Sequence, residues 1–116
     1  MMVCTFNLNT DDAIAEAIDF FASIGADDWF NDEAHFMSRD VRIHFVNFPE
    51  ILLRVSKETN MSITRINHRG ISFWVAYNEI TNPILKGQLG VETQGANDGI
   101  IFCPMSNIKD IHTMGS

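Results

Sequence analysis

Four histidines, two cysteines and two tryptophans are the residues of this 116-residue chain whose types invite chemistry. The histidines are His35, His44, His68 and His112, and none pairs at H-x-x-x-H or H-E-x-x-H spacing, the patterns that set two imidazoles on one helix face for zinc. His44 alternates with Arg42 along an apolar stretch, so the two share a strand face, and His44 is a candidate for lining a cleft. Cys4 and Cys103 sit in apolar strand-like runs near opposite ends. Without an apolar leader at Met1–Thr5, they are expected to be buried thiols in a reducing, cytoplasmic setting, with a disulfide the lesser reading. No glycine-rich phosphate loop, G-x-S-x-G elbow or C-x-x-C pair is present. No catalytic residue emerges, and binding is favoured over catalysis.

The tryptophans carry more. In Ile71–Ala76, Ile71, Phe73 and Val75 alternate with Ser72, Trp74 and Ala76. If the first set faces a helix layer, Ser72 and Trp74 face the opposite side of the sheet, where an indole offers a floor for a planar or cationic ligand. The competing reading is a Trp74 packed in a second core. Trp29 and Phe30 lie among Asp27, Asp28, Asp32 and Glu33. That acidic and aromatic stretch reads either as a rim for a basic ligand, with Asp32 as its charge, or as a hydrophobic anchor pinning a loop.

Charge is lopsided. The formal net charge is −7, and residues 1–38 hold eight acids without a lysine or arginine, leaving seven acids against eight bases in the rest. Such a surface repels phosphate backbones, so no nucleic-acid partner is expected. It suits a cationic ligand or a basic protein, the partner-binding residues then being Asp12, Glu16, Asp19, Asp27 and Asp28. No apolar run approaches the ~18 residues a membrane helix needs, so no membrane partner is expected either.

The elements that must position these residues follow from periodicity. Val3–Leu8 alternates as a strand. Thr10 and two first-turn acids open a helix to Ile24, with Ile14, Ala17, Ile18, Phe21 and Ile24 as its buried face, Asp12, Glu16 and Asp19 opposite, and Gly25 as its stop. The acidic face has no i+4 basic partner. Val41–Phe48 alternates, and Ile51–Val55 is read as the second strand of a hairpin in preference to a helix beginning at Pro49. Further strands are expected at Met61–Ile66, Ile71–Asn78, Val91–Thr93 and Ile100–Cys103, and a short strand or turn at Ile108–His112. The stretch 79–90 is ambiguous, a short element is expected within 34–38, and 94–99 is a turn.

The halves share a rhythm: strand, helical connection to a glycine, short strands. Gly70-Ile71-Ser72-Phe73-Trp74-Val75 and Ile101-Phe102-Cys103-Pro104-Met105-Ser106-Asn107 resemble the opening strand and closing signature of the glyoxalase/bleomycin-resistance family, also called the vicinal oxygen chelate superfamily, and Cys4–Gly25 resembles its first strand and helix. The resemblance implies an α+β fold: one domain over 1–113, with a 114–116 tail, of two β-α-β-β-β modules (about 1–60 and 61–113) forming curved mixed sheets around a cleft, and a homodimer. The family's metal-ligand positions would fall at Val3 (or Cys4 if the register slips by one), at Gly70 (with His68 two residues earlier) and near Asp110 (or Lys109 in another register). Two of these lack a usable donor, so the resemblance implies a metal-free member without a cofactor.

The resulting expectation is a binding protein that sequesters a small aromatic or cationic compound through Trp74, Ser72, Trp29, Phe30, Asp32 and His44. The alternatives are a small acidic inhibitor of a basic protein, of the immunity or anti-defence type, and a metal-dependent lyase or dioxygenase of the same superfamily.

Overall fold

The computed structural model describes residues 2–25, 40–89 and 99–113. The chain is α+β: among the described residues, a six-stranded mixed sheet, not closed into a barrel, with three helices. Strand β1 (Met2–Leu8) leads into α1 (Asp11–Ser23), then β2 (Asp40–Phe45), α2 (Glu50–Ser56), β3 (Met61–Asn67), β4 (Gly70–Val75), α3 (Pro83–Leu89), β5 (Gly99–Pro104) and β6 (Ile108–Thr113). In space the order is β5-β4-β3-β1-β2-β6. Every pairing is antiparallel except β1 with β3, which are parallel over only two registered pairs, Asn7 with Ser62 and Leu8 with Ile63. Two antiparallel three-stranded ribbons therefore meet along a short seam.

The two edge strands are consecutive in the chain. Only the 3₁₀ turn Met105–Asn107 separates β5 from β6. In a flat sheet the outer strands would lie about 24 Å apart, at roughly 4.8 Å per neighbour. Four Cα steps from Pro104 to Ile108 reach at most about 14 Å. The sheet must therefore curl until its edges approach at this end. The turn is hooked to both halves of the sheet: the Met105 amide donates to the Arg69 carbonyl of the β3–β4 turn (3.0 Å), and the Val46 amide, just after β2, donates to the Asn107 carbonyl (2.8 Å).

Curling wraps one apolar face around α1. Alternation puts Phe6, Val41, Ile43, Ile63, Phe73 and Ile101 on that face, all buried. α1 is capped by the Thr10 hydroxyl, which accepts from the Ala13 amide (3.0 Å), and is stopped by Gly25 at φ +79°. Its buried side is Ala13, Ala17, Phe20 and Phe21, spaced i, i+4, i+7 and i+8. Ile18 and Ile24, expected inside, are 39% and 54% exposed. The large Phe20 ring takes the inner position, which rotates the helix and turns both isoleucines out.

The segment after Pro49 is a helix, which corrects the expected hairpin strand. Leu52 and Val55, three apart, are fully buried, a spacing that a strand would send to opposite faces. Pro49 has φ −62° and no N–H to lose, and Glu50 sits at the positive end of the helix. The ambiguous stretch resolves into a 3₁₀ turn (Tyr77–Glu79) and α3. Asn82 caps α3, its Oδ1 accepting from the amides of Ile84 (3.0 Å) and Leu85 (3.2 Å), with Pro83 in the first turn. The strand expected at 91–93, the turn at 94–99 apart from Gly99, and the element at 34–38 lie outside the described residues. Among the described residues, no helix is long and apolar enough to cross a membrane.

Gly70 opens β4 at φ +153°, and a Cβ there would collide with the Cys103 carbonyl oxygen across the β4–β5 ladder. Gly70→Ala is expected to destabilise by about 2–4 kcal/mol from backbone strain and overpacking together, read as a lowered urea midpoint. The Cys103 thiol is fully buried, and burial pushes its pKa up, as it does for the half-buried Cys4. The unfolded thiol sheds its proton near pH ~8.5, while the folded one still keeps it. Stability is therefore intact below that pH and falls as pH rises through the window above it. Cys103→Ala should lose less stability than the parent between neutral and alkaline pH, and alkylating reagents should label Cys4 before Cys103.

Candidate functional site

Two arrangements are built on β6, one on each of its faces. A β-bulge makes them. Phe45 registers with Ile108 and His44 with Asp110, so Lys109 is an extra residue in β6. The bulge lets Ile108 and Ile111, three apart, both point to the buried face. It also leaves Asp110 and His112, two apart, on the outer face beside His44.

On the inner side a groove of about 550 Å³ runs between the end of α1 and β6. Phe20, Phe21 and Ile24 form one wall, the β6 segment from Ile108 to His112 forms the other, and Met105 of the crossing turn closes one end. The last turn of α1 carries no basic residue. The negative end of the helix dipole therefore meets the groove uncompensated from within the helix. Ser23 in that turn approaches His68 Nε2 at 2.8 Å, but its hydroxyl donates to the Phe20 carbonyl at 2.5 Å. With its hydrogen committed there, Ser23 is not an activated nucleophile. The His68 ring instead packs edge-on against Phe20, with 5.2 Å between centroids, and ties the β3–β4 turn to α1.

On the outer side, His44 Nδ1 lies 3.2 Å and His112 Nε2 lies 2.9 Å from Asp110 Oδ1. The two imidazole rings are 5.6 Å apart at 66°. Among the described residues this is the set of three whose donor atoms all fall within 4.8 Å of one another. Asp110 Oδ1 is shielded from solvent, yet neither imidazole addresses it along a hydrogen-bonding direction. The rings stand beside the carboxylate oxygen instead of donating to it. Sequence spacing could not show this group, because His44 and His112 are separated by most of the chain and meet only through β2–β6 pairing. The i, i+2 spacing of Asp110 and His112 was the one visible signal.

The residues expected to bind a ligand are scattered. Ser72 and Trp74 do face away from Ile71, Phe73 and Val75, which are fully buried. Trp74 is half-buried and borders a depression of about 420 Å³ where β1 and β3 part, lined by hydroxyl and amide side chains such as Thr5, Asn7 and Ser62. His44 is not beside it, since β3 and β1 lie between β4 and β2. Trp29, Phe30, Asp32, Asp27 and Asp28 lie outside the described residues. On α1, Asp12 and Asp19 are exposed, but Glu16 corrects the expectation of an unpartnered acidic face: its Oε1 lies 3.3 Å from Arg65 Nε of β3. Arg65 is 49 positions further along the chain, beyond any i+4 rule.

Compared with family models, curated proteins and solved structures, the chain matches none of them.

Proposed function

We propose that the protein binds a small aromatic compound, preferably a cationic one, without breaking a bond, and that the groove between α1 and β6 receives it. The observation that carries this reading is the groove itself. Its about 550 Å³ falls within the usual range for small-molecule sites, and its walls are two phenyl rings, three isoleucines and a methionine. Burying a flat ring against such walls gains roughly 25 cal/mol per Å² of apolar surface. The dipole end of α1 and the overall charge of −7 favour a positive group. Lys109 on the β6 wall opposes them, so the charged end would lie toward the helix.

The resemblance to the glyoxalase/bleomycin-resistance family, with its doubled β-α-β-β-β unit, points to the same class of function and stands as a proposal alongside it. What supports it is the strand–helix opening of the chain and the outward orientation of Trp74. A second location for the ligand rests on a specific observation. The Ser62 hydroxyl, buried at the Trp74 depression, has no hydrogen-bond partner and could be satisfied by a polar aromatic ligand lying against the indole. The acidic-inhibitor alternative has less to stand on, because Arg65 already engages Glu16.

Proflavine, a flat aromatic cation, should bind saturably at one per chain and more tightly than the aromatic anion 8-anilinonaphthalene-1-sulfonate. Ile24→Lys removes an apolar wall and adds like charge at an exposed position, and should weaken proflavine about tenfold or more. Trp74→Phe should leave binding unchanged. A loss with Trp74→Phe and none with Ile24→Lys would move the site to the depression, and no saturable binding of either dye would overturn the reading.

A further inference from the structure

The geometry points to a transition-metal site on the outer face of β2 and β6, made by His44 Nδ1, Asp110 Oδ1 and His112 Nε2, which takes a first-row divalent ion such as Zn²⁺. Asp110 and His112 also line the groove from their place on β6, whereas His44 does not; the metal site rests on donor geometry and not on the proposed ligand.

Distances come first. A tetrahedral zinc with bonds of about 2.1 Å holds its ligand atoms roughly 3.4 Å apart. The two imidazole nitrogens lie 3.2 and 2.9 Å from the carboxylate oxygen, and all three donors are within 4.8 Å of one another. Small side-chain rotations would open this triangle to the required spacing.

Direction comes second. Were the group only a carboxylate paired with two protonated imidazoles, each N–H would be expected to point at Oδ1. That oxygen is solvent-shielded and accepts no hydrogen bond, although two nitrogens crowd it. Nitrogens and oxygen grouped side by side are what an ion in the space between them would organise.

Backbone support comes third. Asp110 and His112 share a strand face at i, i+2, and His44 is the registered neighbour of Asp110 across the β2–β6 ladder. Two strands of one sheet thus fix all three Cα positions, the support a preorganised site needs.

The donor set selects the ion. Two imidazoles and one carboxylate suit zinc and its neighbours, whereas Ca²⁺ and Mg²⁺ require mostly oxygen ligands. Three protein ligands leave a coordination position open. The nearby charge is Arg42, exposed on the same face and registered with His112. It opposes an ion, while Val3, registered with His44, is apolar and neutral. A bound ion would staple the edge strand β6 to β2 across the bulge.

The test is titration of the metal-free full chain with Zn²⁺ by calorimetry and with Co²⁺ by visible absorption, folding of each variant being checked by circular dichroism. One ion per chain is expected, with no response to Mg²⁺ or Ca²⁺ and a Co²⁺ spectrum of low-coordinate nitrogen and oxygen ligation. His44→Gln, Asp110→Asn and His112→Gln should each weaken binding by more than ~100-fold, beyond the effect of losing an outer-sphere partner. His35→Gln and His68→Gln should leave it unchanged. Absence of saturable binding by the parent chain overturns the proposal. So does equal binding by the three ligand variants, or loss of binding in the His35 or His68 variant, which would place the ion elsewhere. Proflavine binding should be unchanged in His44→Gln, since His44 does not line the groove, so failure of the metal site and failure of the groove reading are distinguishable.

Discussion

The three-residue crossing Met105–Asn107 is the constraint on which the rest of the structure depends. A chain that leaves one edge of a six-stranded sheet and enters the other within four Cα steps cannot lie on a flat surface. The short parallel seam between β1 and β3 gives the sheet room to bend, since only two registered pairs hold the ribbons together there. The hydrogen bonds from Met105 to Arg69 and from Val46 to Asn107 tie the crossing to the β3–β4 turn and to the end of β2, one in each half of the sheet. Curling then decides which apolar residues are inside: those on the wrapped face become the core around α1, and the wall beside the end of α1 is the edge strand β6.

That wall is thin, one strand with an extra residue in it. Because Lys109 is bulged, β6 turns two isoleucines toward α1 and a carboxylate and an imidazole away from it. The apolar groove and the His44–Asp110–His112 group are the two sides of this one irregularity. Without the bulge, Ile108 and Ile111 would lie on opposite faces and neither arrangement would form. The energetic weights differ. The groove side rests on apolar burial, which is additive and tolerant of small shifts. The outer side rests on three polar groups crowded within a few ångströms, where direction decides whether the contact is a hydrogen bond, an ion pair or a ligand set.

Local patterns in the chain were read well where one force acted. Alternation in Ile71–Val75 correctly separated the buried side from the Trp74 side, and Thr10 and Gly25 bracket α1 as capping chemistry requires. The reading failed where two periodicities were both compatible with the letters. Ile51–Val55 alternates as a strand would, yet Leu52 and Val55 are also three apart, and burial of that pair made the helix. On α1, Ile18 and Phe20 competed for the interior and the larger ring won. Glu16 read as one of a row of unpartnered acids because its partner, Arg65, is on another element.

What the sequence by itself determined is therefore short-range. Caps, stops, strand faces, the buried thiol of Cys103 and the charge asymmetry follow from neighbours within a few positions, and the physics that sets them is steric and dipolar. What only the tertiary structure decided is everything carried by strand order and register. The joining of the two edges, the groove at the end of α1 and the meeting of His44 with Asp110 and His112 all depend on pairings between distant segments. A pairing register is chosen by the free energy of the whole buried face, and no local spacing encodes that sum.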